Sequence, residues 1–176
     1  MISELYTKRL HLRKMHESDA TNLFKIWSDP HVTKYMNINN FTEIEQARDM
    51  INLLNKLATE KKAIRFAIIE LKTSEIIGSC GYNMLDFEHS KVEIGYELSK
   101  AVWGRGYASE AINSLLNYAF LDLDINRVEA KVKPLNTNSI KTLRRLNFTF
   151  EGTLRQVEKS KGKFIDLNVY SKLKTD

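Results

Sequence analysis

The chain holds a single cysteine, Cys80, so it has no internal disulfide and no Cys-rich zinc site. Glycine and proline are scarce, at 7 and 2 of 176 residues, and neither gathers into a linker-like stretch. No internal repeat or low-complexity run is present. No window approaches the roughly 20 consecutive apolar residues that a membrane-spanning helix needs. The start, Met1-Ile2-Ser3-Glu4-Leu5, lacks the basic-then-apolar pattern of a signal peptide, which makes the cytoplasm the expected location. His11, His16, His31 and His89 are scattered without metal-ligand spacing, so no metal is expected.

What is present is ordinary for a globular chain: 43% hydrophobic and 28% charged residues. The length fits one domain over residues 1–176, enough to bury a core. The net charge is +5, with an isoelectric point near 9.2. The positive residues are dispersed and not interleaved with aromatics, so the basic balance reads as a surface suited to an anionic small ligand. A nucleic-acid role, the competing reading, would show itself as affinity that falls steeply with salt.

Hydrophobic periodicity sets the order of elements. Residues 6–14 alternate, with Leu10 and Leu12 against Arg9, His11 and Arg13, and predict a first strand. Ser18-Asp19 reads as the cap of a helix carrying Leu23, Phe24, Ile26 and Trp27, ended by Asp29-Pro30. Thr42-Glu43-Ile44-Glu45 reads as a capping box before an apolar stripe of Ala47, Met50, Ile51, Leu54 and Leu57. Strands are expected over 64–71, 76–85 and 91–99, then a glycine-containing loop and a helix over 109–121. A strand over 127–132, a short helix over 139–146 and strands over 148–155 and 164–173 complete the chain. Strand, loop, helix and strand in the second half form a crossover unit, which requires a parallel pair in a mixed α/β sheet.

Gly104-Arg105-Gly106 lies between a strand and a helix. Glycines permit a tight turn and a close ligand approach. The helix start adds unpaired amides and the positive end of a dipole, together an anion site suited to a pyrophosphate. A plain strand-to-helix turn has the same glycines. The loop lacks the Gly-Lys-Ser/Thr of a Walker loop, and Ser109 stands where a dinucleotide fingerprint needs its third glycine.

The wider context is more specific. Glu93-Ile94-Gly95-Tyr96-Glu97-Leu98, followed by Trp103-Gly104-Arg105-Gly106-Tyr107-Ala108-Ser109-Glu110-Ala111, resembles the acetyl-CoA motif of the GNAT acetyltransferases. The nearest branch is that of the RimJ/RimL-type ribosomal-protein N-acetyltransferases. Trp103 departs from the general Arg/Gln at the motif's first place but is usual in that branch. The resemblance continues in Thr7–Arg13, Asp19-Ala20, Ser28-Asp29-Pro30, Asn136-Thr137-Asn138-Ser139, Leu146-Asn147-Phe148, Glu151-Gly152, Asp166 and Tyr170-Ser171. Asn147 stands where the branch has a helix-ending glycine, and asparagine tolerates the same positive φ.

The resemblance implies a seven-stranded, mostly antiparallel sheet flanked by about four helices. Its fourth and fifth strands, 91–99 and 127–132, would be parallel and splayed, with the pantetheine arm of acetyl-CoA in the gap. Backbone groups near Glu97 and Leu98 would hold that arm, with Asn136 on the other side. Amides of Gly104, Arg105, Gly106, Tyr107, Ala108 and Ser109 would hold the pyrophosphate, with Trp103 also counted in the cofactor site. Glu93, a carboxylate on an otherwise apolar strand, is the candidate base for the acceptor ammonium; the other reading is a solvent-facing glutamate, like Glu97. Ser139 is either a helix cap or a hydrogen-bond donor to the leaving thiolate. Trp27, Tyr35 and Met36 border the acceptor pocket or belong to the core, and Cys80 reads as a small core residue.

The function implied is transfer of acetyl from acetyl-CoA to a primary amine by direct transfer. The acceptor is a protein N-terminal α-amine or a small-molecule amine such as a polyamine, aminoglycoside or amino acid. A homodimer is admitted, and a CoA-binding sensor without turnover is the reading from another class.

Overall fold

The structure, a computed structural model, describes all residues 1–176. Eight strands form one sheet: β1 (Glu4–Tyr6), β2 (Leu10–Lys14), β3 (Ile64–Glu70), β4 (Glu75–Asp86), β5 (Lys91–Leu98), β6 (Arg127–Val132), β7 (Thr149–Ser160) and β8 (Lys163–Leu173). Their order is β1-β2-β3-β4-β5-β6-β8-β7. Only β5 and β6 run parallel, as the crossover unit requires. The helices are α1 (Ala20–Trp27), α2 (Pro30–Thr33), α3 (Ile44–Thr59), α4 (Tyr107–Asn117) and α5 (Thr137–Arg145).

The sheet has eight strands rather than seven because the expected first strand is a hairpin. Thr7 breaks it: its amide donates to Leu10 O at 2.9 Å and its hydroxyl accepts from Leu10 N at 2.9 Å. Both bonds fold residues 7–10 into a tight turn. The fifth helix is the single turn α2, which Pro30 begins and the Asp29 carboxylate caps through His31 N at 2.9 Å.

Helix starts differ from expectation by one or two residues. Ahead of α1 the capping carboxylate belongs to Asp19, but it accepts from His16 N at 2.7 Å and closes a short 3₁₀ turn. In α3 the cap is Glu43, one residue later than the Thr42 box predicts, because Gln46 Oε1 accepts from both Thr42 N (2.7 Å) and Glu43 N (3.0 Å). Helix α4 starts at Tyr107 rather than Ser109 and ends in a π turn over Tyr118–Asp122.

The centre of the sheet is buried on both faces, while β7 is largely exposed. Phe66 and Ile68 of β3 point into a large core with Ala111, Ile112, Leu115 and Leu116 of α4, the stripe that periodicity predicts. Their neighbours Ala67 and Ile69 point the other way, onto Leu23, Ile26 and Trp27 of α1 and Ala47 and Ile51 of α3. Period-two alternation on a central strand therefore serves two helical layers at once. Asn147, with φ +62°, takes the left-handed turn after α5.

Candidate active site

The β5–β6 ladder is short. It runs from Lys91↔Arg127 to Ile94↔Ala130 and stops. Beyond it, Gly95–Leu98 remain paired only with β4, while Lys131 and Val132 continue with β8. The sheet therefore opens in its middle, with unpaired backbone along both sides.

Two cavities meet at that opening. One, of about 650 Å³, runs past Leu98, Val102, Trp103, Gly104 and Gly106 to the first turn of α4 and the side of α5. The other, of about 540 Å³, lies on the α1/α3 face and holds Trp27, Met50, Arg65, Glu93, Glu97 and Lys131. Tyr35, Met36, Tyr96, Glu97, Asn136 and Ser139 line both, and so mark the junction.

The glycine loop has the conformation an anion site needs. Gly104 and Gly106 have φ of +78° and +81°. Nothing lies within 4 Å of a Cβ built on Gly104, so the backbone conformation, not lack of space, calls for glycine there. The amides of Tyr107, Ala108 and Ser109 open α4 without intrahelical partners, on the wall of the first cavity. Arg105 is not on that wall; its carbonyl turns away and accepts from Arg9 Nη1 at 2.9 Å. Trp103 ties the loop to β5, its indole donating to Leu98 O at 2.8 Å. Leu98 O is thus already engaged.

Arg9 is a residue that sequence reasoning missed. Its Nε donates to Glu110 Oε2 at 2.7 Å, its guanidinium lies 4.3 Å above the Tyr107 ring, and Nη1 holds the loop. Glu110 also accepts from Thr7 Oγ1 and Arg9 N, each at 3.0 Å. Burial works against the ionised Glu110, but these donors outweigh it and keep its carboxyl below the ordinary range. Tyr107 donates its hydroxyl to Glu70 and thereby lowers that carboxyl as well. Arg9→Ala is expected to weaken acetyl-CoA binding roughly 10- to 100-fold, the scale of a lost charged hydrogen bond, as calorimetric titration would read it. Unchanged affinity would show that the loop holds its shape alone.

The two glutamates of β5 share a face, as alternation predicts, but neither is solvent-facing. Glu93, with its side chain 18% exposed, pairs with Lys131 Nζ at 3.0 Å. The Glu97 side chain is fixed by Trp27 Nε1 at 2.9 Å, by the Ser79 hydroxyl and by the Arg65 guanidinium. It belongs to a buried network.

Ser139 is not the cap of α5. Asn136 is, with Oδ1 accepting from Ser139 N at 3.3 Å. The Ser139 hydroxyl pairs instead with that of Tyr96, a residue 43 positions away that sequence reasoning did not single out. Burial pushes the Tyr96 hydroxyl above its ordinary value, against a smaller opposing effect of Ser139, so Tyr96 is a protonated donor at the junction. Its only signal was its place in the strand of Glu93, with opposite parity. Trp27, Tyr35 and Met36 line the cavity on the α1/α3 face. Cys80 is fully buried and its thiol is pushed up to about 12, which removes it as a nucleophile.

This arrangement fits a long anionic thioester ligand: an anion cradle at a helix start, a backbone-lined slot, and a junction with proton donors and a carboxylate beyond it. Comparison with known proteins agrees. The model of the acetyltransferase (GNAT) domain matches residues 9–149. The chain is 54% identical to the uncharacterized N-acetyltransferase p20 of Bacillus licheniformis over 172 residues, 98% of this chain and 97% of that one. It is 28% identical to the ribosomal-protein-serine acetyltransferase of Escherichia coli over 102 residues, 58% and 57% of the two chains. Among solved structures it is similar to the microcin C7 self-immunity acetyltransferase MccE, in complex with acetyl-CoA and AMP, with a TM-score of 0.86, 26% identity and coverage of 95% and 93%. The chain belongs to the GNAT family of acetyl-CoA-dependent N-acetyltransferases.

Proposed function

We propose that the protein acetylates a primary amine that enters from the Glu93 side of the sheet while acetyl-CoA occupies the loop side. The observation that carries this reading is the junction, where Tyr96, Ser139 and Asn136 line both cavities. Gly104, Gly106 and the amides of Tyr107, Ala108 and Ser109 hold the pyrophosphate, with Trp103 and Arg105 shaping the loop. Backbone groups near Glu97 and Leu98 and the side-chain amide nitrogen of Asn136 hold the pantetheine arm. The bound thioester supplies the acyl carbon. Glu93 takes a proton from the acceptor ammonium, and the freed nitrogen forms its bond to that carbon as the carbon–sulfur bond breaks. The departing thiolate meets the Tyr96–Ser139 pair, which donates to it. Lys131, now paired with Glu93, shares that carboxylate with the incoming ammonium.

A protein N-terminal α-amine is the first acceptor reading, supported by the similarity to the Escherichia coli ribosomal-protein-serine acetyltransferase. A small-molecule amine is the second, supported by the similarity to the self-immunity enzyme and by a cavity of ligand size. A panel of short peptides with free N-termini, together with polyamines, aminoglycosides and amino acids, tests both. Free thiol release above the background of acetyl-CoA alone is expected with at least one class. Tight acetyl-CoA binding with no release from any amine would replace this reading with a sensor.

A further inference from the structure

We propose that the acceptor carries an oxyanion, a carboxylate or a phosphate, which Lys133 binds while the acceptor's amine reaches Glu93. The inference rests on the acceptor reading above and names the chemistry of that substrate.

The charged side chains lining the acceptor-side cavity are Arg65, Lys131 and Lys133 against Glu93, Glu97 and Glu158. Two of the cations are neutralised in place, Arg65 by Glu97 and Lys131 by Glu93. Lys133 has no carboxylate within 4.0 Å. Its ammonium, which has three donors, reaches only Met36 O at 3.4 Å and Ser160 Oγ at 3.2 Å, both long bonds to neutral oxygens.

The surroundings make that cation costly. Lys133 is partly buried, and a second lysine, Lys161, acts on it as a like charge; the Lys161 Nζ donates to Thr33 O at 2.7 Å and Lys34 O at 3.5 Å. Burial first, and Lys161 second, hold the Lys133 ammonium below the ordinary lysine range, against a smaller pull from Glu158. The Glu158 carboxylate is itself engaged by Asn37 Nδ2. A desolvated ammonium between neutral oxygens and a like charge gains most from an anion brought by the ligand.

Chain reach sets the spacing. Lys131 lies on β6 and Lys133 is the residue just after its end at Val132; both line the same cavity, and two residues of chain span at most about 7 Å. An amine at Glu93, the partner of Lys131, and an oxyanion at Lys133 are therefore separated by several bonds. That span suits an amine and an acid several bonds apart: a β-amino acid, a dipeptide, an N-terminal residue followed by an acidic one, or an aminoalkyl phosphate.

Titration of the CoA-bound protein decides the matter without turnover. Acetate and inorganic phosphate are added in turn to protein with isotope-labelled lysine, and the side-chain Nζ resonances are followed by NMR. The Lys133 signal is assigned by its disappearance in Lys133→Arg, which keeps the charge. A saturable shift at Lys133, larger than at exposed Lys8, is expected with at least one anion; the stronger of the two names the source. No saturable shift with either overturns the proposal. Matched amines supply the kinetic arm: β-alanine against β-alaninamide, and phosphoethanolamine against ethanolamine. The anionic member of a pair is expected to have about tenfold or higher kcat/KM, with the preference kept in Lys133→Arg and erased in Lys133→Met. Preference that survives Lys133→Met also overturns the proposal. A saturable shift at Lys133 without acetylation of any amine would instead count against the acceptor reading and leave the oxyanion site standing.

Discussion

Glu93→Gln is expected to lower kcat by about 10²–10⁴-fold while leaving the dissociation constant of acetyl-CoA unchanged, the range over which a positioned base contributes. The amide keeps the shape of the carboxylate, so the strand and both cavities are preserved. What it loses is the ability to take the ammonium's proton. Glu93 lines one cavity and Gly104, Gly106, Tyr107, Ala108 and Ser109 the other, so a base defect is expected to separate cleanly from a binding defect. Single-turnover acetyl transfer alongside acetyl-CoA titration makes the distinction. Full activity in Glu93→Gln would assign deprotonation to water or to another group. Lys131 is released by the same change, and Lys131→Met with Glu93 intact serves as the control for that lost ion pair.

Arg65→Met is expected to destabilise the protein by about 3–5 kcal/mol, since breaking one side of a buried pair leaves the other charge uncompensated. Side-chain exposure is 12% for Arg65 and 5% for Glu97, so water replaces little of what is lost. Trp27 Nε1 and the Ser79 hydroxyl would remain on Glu97, which places the effect within that range rather than above it. For a chain of this length the melting temperature should fall by roughly 10 °C or more. The double variant Arg65→Met/Glu97→Leu is expected to recover most of that loss, because two apolar groups remove the stranded charge. Equal instability of single and double variants would show that packing, not charge, holds this site. The same network accounts for Gly95: a Cβ there would lie 2.8 Å from Arg65 Nη1 and 2.5 Å from Asn83 Nδ2.

What was legible in the sequence was local or periodic. The α4 helix, the β3 strand and the parallel crossover follow from spacing and residue type, and the positive φ at Asn147 from the family resemblance. What was not legible depends on partners distant in the chain. Arg9 and Glu110 lie 101 positions apart, and Tyr96 and Ser139 are 43 apart. No periodicity links them. Glu97 illustrates the difference: strand parity put it on the correct face, but only the fold shows three donors from β3, β4 and α1 closing on its carboxylate. Local competition explains the smaller errors. Thr7 and Gln46 each offer side-chain oxygen to nearby amides, and that moved a strand break and a helix start away from where hydrophobic pattern alone puts them.

The opening between β5 and β6 carries a cost outside catalysis. A sheet edge with bare amides and carbonyls is a template for unwanted pairing, and here such an edge lies inside the molecule, not at its rim. A ligand whose own amides fill that strip behaves as a surrogate strand, and its binding energy becomes folding energy. At a concentration one hundred times its dissociation constant it adds about 2.7 kcal/mol to the stability of the folded chain. Saturation with the acyl donor is therefore expected to raise the melting temperature and to slow proteolysis of the seam, and removal of the donor to reverse both.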